Sequence, residues 1–173
     1  MFTRSMCALL LACAAVAHAQ QYGFGEAPSP ELVRAWDIDI SPDGAGLPAG
    51  AGSVASGAKI YVERCAACHG AEGKGQPEDA LAGGKGTLAS ANPIKTIGSY
   101  WPYATTLFDY VRRAMPFNAP QSLRNDEVYA LVAYLLNLNG IVPADAVMNQ
   151  TSLPAVRMPN REGFVADPRP DLP

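Results

Sequence analysis

The feature that most constrains this chain is where its cysteine and histidine residues lie. The sequence has 173 residues, with four cysteines and two histidines. Two of the cysteines and one histidine stand together as Cys65-Ala66-Ala67-Cys68-His69. The others, Cys7, Cys13 and His18, fall close to the N-terminus. The fold and its chemistry therefore depend on the fate of this first segment and on what five consecutive residues can bind.

Residues 1–19 have the pattern of a secretory signal peptide. Arg4 supplies a positive charge, the run from Met6 to Ala17 is uncharged and apolar, and Ala17-His18-Ala19 matches the small-x-small cleavage pattern. An apolar run of that length forms about 18 Å of helix, too short to cross a hydrocarbon core of roughly 30 Å as a transmembrane anchor. We predict export to the periplasm with cleavage after Ala19.

Lipid attachment at Cys13 is the alternative fate of this segment, because Leu10-Leu11-Ala12-Cys13 resembles a bacterial lipobox. With cleavage after the signal peptide, both early cysteines and the early histidine leave the chain. The mature protein then keeps Cys65, Cys68 and His69 as its only cysteines and its only histidine.

The five residues from Cys65 to His69 match the C-x-x-C-H pattern of covalent c-type haem attachment. Two thiols three positions apart at the end of a helix reach the two vinyl groups of one porphyrin and form thioether bonds. The adjacent imidazole is then carried under the iron as its proximal ligand. We predict one haem c, attached covalently through Cys65 and Cys68, with His69 on the iron.

Three other uses of this motif agree less well with the sequence. A disulfide between Cys65 and Cys68 would close a small strained ring and leave His69 without a role. A thioredoxin-like redox pair needs a strand before the cysteines, whereas a helical pattern precedes them here. A structural zinc site would lack a fourth cysteine or histidine ligand.

Composition indicates a folded middle with irregular flanks. The chain is 49% hydrophobic and 17% charged, which is enough apolar surface to bury a core. Glycine and proline are frequent at both ends, which predicts an N-terminal arm at residues 20–52 and a proline-rich, extended C-terminal tail at residues 143–173. The formal charge is -3 and no long basic run exists, so nucleic-acid binding is disfavoured.

Helical patterns begin in the arm and continue into the domain predicted at residues 53–142. A short helix is predicted over Ser29–Trp36, with a proline at its first position. Ser53 is a suitable N-cap for the first helix of the domain, which delivers Cys65 at its C-terminal end. The run from Gly70 to Tyr103 has no sustained periodicity, and such a long loop is consistent with a compact domain if a cofactor supplies the core around which it wraps.

Two further helices are predicted after this loop. The first is capped by Thr105 or Thr106 and ends before Met115-Pro116, because the residue before a proline disfavours helical geometry. The second begins after a cap at Asn125, or one residue earlier, and stops at Gly140. Its apolar stripe comprises Val128, Leu131, Leu135 and Leu138.

The sixth ligand of the haem iron is expected to be a methionine, since the mature chain has no second histidine. Met115, Met148 and Met158 are the candidates, and a thioether is a soft, neutral ligand that favours ferrous iron. Met115 is preferred because it follows a helix that can pass over the other haem face and precedes Pro116. The other two lie in the tail, where no pattern indicates a fixed position. The alternative for Met115 is a gap-filling place in the core.

Together these residues resemble the class I cytochromes c. The resemblance rests on CAACH after an aromatic-bearing helix, on the Met-Pro turn and on a C-terminal helix with Tyr134, and it covers about residues 53–142. It implies an all-α fold of three to four short helices around one covalently bound haem. It also implies that the first and last helices cross, with Gly57 or Tyr61 against Tyr134.

A narrower resemblance extends into the flanks. The segments Trp36–Gly57, Leu81–Leu88 and Lys95–Leu123 are similar to the haem subunits of sulfite-dehydrogenase-type molybdenum enzymes, which include the cytochrome half of periplasmic sulfur dehydrogenases. This resemblance implies single-electron transfer from such an enzyme to a downstream cytochrome or oxidase of the respiratory chain. Because the chain has one haem motif, the short cytochrome partner of a sulfite dehydrogenase is the favoured match.

Haem propionates need hydrogen-bond donors, and the loop before the second domain helix is rich in them. Tyr100 and Trp101 are candidate propionate contacts, and Arg113 adds a positive charge shortly before Met115. For each aromatic residue, a place in the core is the alternative. The second ring nitrogen of the proximal histidine also needs a partner, which a backbone carbonyl in residues 76–80 can provide.

Two classes of function fit these residues. The first is an electron-transfer module with a six-coordinate haem and no substrate of its own. The second is a small haem enzyme or gas sensor with an open sixth coordination position. The presence of Met115 and the absence of a distal histidine favour the first class, so we predict that the chain is not itself an enzyme.

Overall fold

The structure is a computed structural model that describes residues 24–168. The predicted signal peptide, residues 1–19, lies outside the described residues. The described chain divides into two compact units, residues 24–37 and residues 38–168. Within this described range, no helix is long and apolar enough to cross a membrane.

The smaller unit contains one short helix, α1, which spans Pro30–Trp36. Ser29 is its N-cap, and the Ser29 Oγ accepts a hydrogen bond from the Leu32 N–H at 3.2 Å. Pro30 stands in the first turn, where a backbone N–H would have no helical partner. The helix predicted at this position is therefore confirmed, and none of its residues is buried.

The larger unit is mostly helical. Its elements are β1 (Ala51–Ser53), α2 (Val54–Arg64), α3 (Ala66–His69), α4 (Ala104–Ala114), α5 (Asn125–Leu138) and β2 (Val147–Asn149). The two short strands pair antiparallel, with Gly52 opposite Met148. Residues 70–103 form the long irregular connection that the sequence predicts. The predicted all-α class is confirmed, with the small strand pair as an addition.

Helices α2 and α5 cross in close contact at a glycine. A Cβ atom on Gly57 would overlap the Ala130 carbonyl group of α5 and would lie 2.8 Å from the Cβ of Tyr134. One turn further along α2, the rings of Tyr61 and Tyr134 pack with centroids 5.1 Å apart. Both of the contacts with Tyr134 that the sequence analysis expects are therefore present.

Helix α5 forms the centre of the core. The sequence analysis assigns it one apolar stripe, but its buried residues extend around the helix and Leu138 is only half-buried. The buried set is Val128, Tyr129, Ala130, Leu131, Val132, Ala133, Leu135 and Leu136. Because α2, α4 and both strands pack against α5, most of its circumference is covered.

The cap predicted for α4 is wrong. The helix begins at Ala104, and Tyr103 rather than Thr105 or Thr106 is its N-cap. Thr105 lies inside the helix, where its hydroxyl donates a hydrogen bond to the Pro42 carbonyl at 3.0 Å. The Thr105 hydroxyl therefore binds a carbonyl 63 residues earlier in the chain instead of capping the helix. A local sequence pattern contains no information about so distant a partner.

The boundaries of α5 agree with the sequence to one residue. Its N-cap is Arg124, the earlier of the two predicted positions, and the Arg124 N–H donates to Glu127 Oε2 at 2.8 Å. Asn125 is the first helical residue. Gly140 follows the helix with φ +67°, a left-handed conformation that favours glycine and stops the helix as predicted.

The structure divides the predicted arm, residues 20–52, at residue 38. From there the chain packs against α4, with Ile40 buried. The Ile40 N–H donates to Asp109 Oδ1 at 3.1 Å, and Arg112 Nη1 donates to the Ile38 carbonyl at 3.1 Å. Side chains of α4 therefore fasten this segment to the domain.

The predicted tail is also more ordered than the sequence indicates. Met148, Leu153 and Met158 are all buried in the main core. These three residues are spaced five apart, a spacing that matches neither a helix nor a strand and gives no periodic signal. Met148 and Met158 therefore have fixed positions in the core, which no pattern in the sequence indicates.

Candidate functional site

The C-x-x-C-H motif forms a single turn at the end of α2. Cys65 closes α2 as its C-cap and also precedes α3, which carries the remaining four residues of the motif. The Cys65 carbonyl accepts hydrogen bonds from the N–H groups of Cys68 and His69 at 3.1 and 3.0 Å. Both cysteines are free thiols, Cys65 half-buried and Cys68 exposed. Their separation of one helical turn puts the two thiols on the same side.

His69 is oriented by the loop that follows it. Its Nδ1 lies 2.8 Å from the Asp79 carbonyl oxygen. A carbonyl can only accept a hydrogen bond, so Nδ1 carries the proton and Nε2 keeps the lone pair that can coordinate a metal. The carbonyl partner predicted within residues 76–80 is therefore confirmed, and it is that of Asp79.

The turn after the motif is held from inside the core. Tyr61 is fully buried, and its hydroxyl donates a hydrogen bond to the Gly70 carbonyl at 2.7 Å. Gly70 has φ +77° and follows His69 directly, so the chain reverses here in a conformation that favours glycine. Burial, with smaller contributions from the Cys65 thiol and Tyr134, raises the pKa of Tyr61 to about 12.

Asn139 is a positioning residue that the sequence analysis does not identify. Its side-chain oxygen accepts from the Gly83 N–H at 3.1 Å, and its Nδ2 donates to the carbonyls of Leu81 and Leu135 at 3.1 and 2.9 Å. Asn139 therefore fastens the loop that contains the His69 partner to the end of α5. A signal did exist, because asparagine is favoured at the ends of helices, but the loop it binds is more than 50 residues away.

The environment of Cys65 argues against a redox-active thiol pair. Burial, followed by the nearby Cys68 thiol, raises the pKa of Cys65 to about 11. Reactive C-x-x-C thiols have a lowered pKa, because the thiolate is the attacking species. Cys65 also follows a helix rather than a strand. Both observations count against the thioredoxin-like alternative.

Met115 stands at the C-terminal end of α4. It is the C-cap residue, with extended backbone (φ -118°, ψ 148°), and its N–H donates to the Val111 carbonyl at 3.1 Å. Its side chain is half-buried and packs against the core. Met115 is therefore placed on a rigid element and remains partly accessible, as an iron ligand has to be before the haem is bound.

Met148 and Met158 have a different environment. Their relative exposures are 5% and 1%, and both belong to the main apolar cluster. Buried methionines of this kind fill space among apolar neighbours. Both side chains therefore have a place in the apolar core, in contrast to the half-buried Met115.

Tyr100 and Trp101 precede α4 and are half-buried. The ring of Tyr100 packs on Phe164 with centroids 5.2 Å apart, and its carbonyl accepts from Asn160 Nδ2 at 2.8 Å. The Trp101 ring contacts Tyr110 edge-on at 5.7 Å. A propionate contact remains a prediction for both residues.

Arg113 already has a carboxylate partner within the protein. It forms a short ion pair with Asp109, one turn earlier on α4, and Asp109 also accepts the hydrogen bond from the Ile40 N–H. The Arg113 side chain is still 46% exposed. Its predicted contact with a propionate would therefore have to share the guanidinium group with Asp109.

The donor set of this site fits a covalently bound haem. Two thiols lie one turn apart, the adjacent imidazole presents Nε2, and a half-buried thioether lies at the end of another helix. Soft sulfur and imidazole ligands are those that haem iron takes in low-spin carriers. The fold and this donor set define the class I cytochromes c, in which haem c is bound covalently and serves electron transfer.

Comparison with known proteins agrees with this class. The cytochrome c family model matches residues 54–139, and the chain belongs to this family. Covalently bound haem c is the cofactor of this family, and Cys65 and Cys68 stand in C-x-x-C-H spacing within the matched range. The matched range lies within residues 53–142, where the sequence analysis expects the domain.

A solved structure extends the similarity beyond the domain. The chain is 45% identical to a chain in the crystal structure of the sulfane dehydrogenase SoxCD from Paracoccus pantotrophus, with a TM-score of 0.79. The similarity covers 86% of this chain and 74% of that chain. It therefore includes segments on either side of the residues that the family model matches.

A curated relative is more distant. The chain is 30% identical over 90 residues to the thiosulfate dehydrogenase of Psychrobacter arcticus, a match that covers 48% of this chain. The chain spans 25% of the length of that protein.

Proposed function

We propose that this protein is a periplasmic, monohaem cytochrome c that accepts single electrons from a molybdenum-containing dehydrogenase of sulfite or another inorganic sulfur compound. It passes them to a downstream cytochrome or oxidase. The observation that carries the proposal is the similarity to the SoxCD chain over 86% of the sequence at 45% identity. A general cytochrome c would share only the haem domain, whereas here the flanking segments are shared as well.

In this proposal each residue of the site has a defined task. Cys65 and Cys68 would hold the haem covalently, and His69 and Met115 would ligate its iron. When bound, the haem supplies a reversible one-electron couple between ferric and ferrous iron. The Asp79 carbonyl holds His69 in one tautomer, and Tyr61 and Asn139 hold the loop that carries this carbonyl. Held in this way, the His69 imidazole would keep its orientation in both oxidation states of the iron.

The experiment is anaerobic reduction of the oxidised, haem-loaded protein by the molybdenum dehydrogenase of the same organism. Oxidation of sulfite to sulfate releases two electrons, so we expect two haems to be reduced for each sulfite consumed. Thiosulfate is tested in parallel, because it distinguishes the sulfur substrates. The controls omit the dehydrogenase or the sulfur compound.

Two outcomes contradict the proposal. If the dehydrogenase oxidises its substrate with an artificial acceptor but does not reduce this haem, the chain serves another partner. If sulfite or thiosulfate is turned over by the cytochrome alone, the chain is itself an enzyme with an open iron position.

A further inference from the structure

The net negative charge of the chain after the predicted cleavage site comes from one short region. Residues 20–43 contain five acidic residues and one basic residue. Residues 44–173 contain eleven of each and are neutral as a whole. The entire excess of negative charge after the predicted cleavage site therefore comes from the region that contains α1. The acidic residues are Glu26, Glu31, Asp37, Asp39 and Asp43.

Helix α1 also carries an exposed apolar face. Leu32, Val33 and Trp36 are 51%, 46% and 79% exposed, and their spacing of i, i+1 and i+4 puts them on one side of the helix. Tryptophan is on average a highly buried residue, so this exposure is unusual. An isolated helix of seven residues is also marginal in water, since isolated helices shorter than about 12 residues gain too little from their own hydrogen bonds.

The chain becomes fixed immediately after α1. Only Asp37 separates Trp36 from Ile38, whose carbonyl is held by Arg112 of α4. The C-terminal flank offers no comparable free element up to residue 158, because Met148, Leu153 and Met158 are used in the core. The uncovered apolar helix therefore belongs to the N-terminal flanking region.

We propose that α1 is a docking helix, which inserts Leu32, Val33 and Trp36 into an apolar groove with a basic rim on the molybdenum-containing dehydrogenase subunit. This inference rests on the proposed function and adds the surface by which the two proteins bind. Charge complementarity identifies the chemistry of the rim, because Glu31 directly precedes Leu32 and Asp37 directly follows Trp36 in the chain. A one-residue connection to the fixed segment keeps the docked partner close to the cytochrome domain and raises the effective concentration for electron transfer.

The first test measures binding of the full haem-loaded protein to the purified molybdenum subunit of the same organism. Tryptophan is enriched among the few interface residues whose replacement costs about 2 kcal/mol or more, so for an anchor of this kind we expect Trp36→Ser to weaken binding by about thirtyfold or more. Trp36→Phe keeps an aromatic anchor and should retain most of the affinity. Val165→Ser, at a position 89% exposed outside α1, is the matched control and should bind as the wild type does.

The second test measures how the affinity depends on ionic strength. Glu26→Gln/Glu31→Gln/Asp37→Asn removes three acidic charges around α1, and we expect weaker binding at low salt and a flatter salt dependence. Glu72→Gln/Asp145→Asn/Glu162→Gln removes three exposed acidic charges elsewhere and should leave the salt dependence unchanged. The haem spectrum should be the same in all variants, because none of these residues belongs to the haem site.

The rate of haem reduction separates this inference from the proposed function. At saturating dehydrogenase, Trp36→Ser should reach the wild-type rate, and at limiting dehydrogenase it should be slower. If Trp36→Ser binds the molybdenum subunit as tightly as the wild type does, and the dehydrogenase reduces the wild type normally, the inference that α1 is a docking helix is wrong and the proposed function stands. If the wild type is not reduced at all, the proposed function fails. Concentration-dependent dimerisation of the cytochrome alone, abolished by Trp36→Ser, would assign the helix to a second copy instead.

Discussion

Met115 and Met158 differ in how far their side chains are buried. Met115 is half-buried at the end of a rigid helix, whereas Met158 is 1% exposed within the core. We expect Met115→Ala to lose the weak long-wavelength absorption band of methionine-ligated ferric haem and to bind added cyanide. The reason is that, with Met115 as the proposed sixth ligand, alanine leaves this coordination position without a protein ligand.

The matched variant for this experiment is Met158→Leu. A shape-conserving swap of this kind costs less than about 1.5 kcal/mol of stability, and it removes the sulfur atom. We expect Met158→Leu to retain the band, as should the corresponding change at Met148. Loss of the band in one of these variants, with the band retained in Met115→Ala, would show that the ligand assignment is wrong.

Tyr61 links the haem loop to alkaline stability. Its pKa is raised by burial to about 12, above the ordinary value of 10.0, so the folded state holds this proton more tightly than the unfolded chain does. The resulting stabilisation is complete below pH 10 and is lost as the pH rises through about 12. We expect Tyr61→Phe to be less stable than the wild type at pH 8, by about 0.5–1.5 kcal/mol for the lost hydrogen bond.

The pH dependence distinguishes this role from simple packing. The stability difference between wild type and Tyr61→Phe should shrink between pH 10 and 12, measured by denaturant unfolding of the haem-loaded protein. Tyr110→Phe, at an exposed position, is the control and should show no such trend. A difference that stays constant across this pH range would exclude the proposed titration of Tyr61.

The role of a single side chain is predictable from the sequence when its hydrogen-bond or ion-pair partners are close in the chain. The sequence predicts that a backbone carbonyl within residues 76–80 accepts a hydrogen bond from His69, because the ring nitrogen of a ligating histidine that does not bind the metal needs a partner. The pairing of Asp109 with both Arg113 and the Ile40 N–H involves residues 69 positions apart, so the sequence left Arg113 free for a propionate. A side chain that has a distant partner is assigned correctly only once the fold is known.

The crossing of α2 and α5 is the element-level contact that is most sensitive to substitution. Any side chain at Gly57 would overlap the Ala130 carbonyl group. Because these are backbone atoms of α5, the overlap can be relieved only by moving one helix away from the other. We expect Gly57→Ala to destabilise the haem-loaded protein by about 1–3 kcal/mol, the cost typical of overpacking a core. Lys59→Ala, on an exposed position of the same helix, should change stability by less than about 0.5 kcal/mol. Equal stabilities of the two variants would contradict the close approach.

The positions of the helices are predictable from the sequence. The N-cap of α4 and the burial of the C-terminal flank are not. Ser29, Gly140 and the Met115-Pro116 boundary follow local rules and were predicted. The start of α4 was missed because Thr105 donates its hydroxyl to Pro42 instead of capping the helix. The packing of residues 148, 153 and 158 was missed because their spacing has no period.

For the molecule as a whole, the haem is expected to act as part of the core. Residues 70–103 contain no helix or strand, and most of the residues in this segment are exposed or half-buried in the polypeptide alone. We expect a Cys65→Ala/Cys68→Ala variant produced without haem to lose most of its helical circular dichroism signal. The comparison is the haem-loaded wild type, and a native-like spectrum in the variant would show that the polypeptide folds without its cofactor.

The class of the whole molecule is predictable from the C-x-x-C-H motif, the Met-Pro turn and the C-terminal helix with Tyr134, which together resemble the class I cytochromes c. The way the flanks fold did not follow, because glycine and proline content indicates irregular backbone and says nothing about burial. Residues 38–52 and 143–158 are irregular for the most part and yet pack on the domain. Their apolar residues can be identified as core residues only once the positions of α4 and α5 are known.

The absorption spectrum of the oxidised wild-type protein, with and without cyanide, and of the reduced protein with carbon monoxide, tests the central claim most directly. An electron carrier ligated by His69 and Met115 should show the long-wavelength methionine band and should bind neither cyanide nor carbon monoxide readily. A spectrum without this band, together with rapid binding of either ligand, would identify an open iron position and contradict the assignment as an electron carrier.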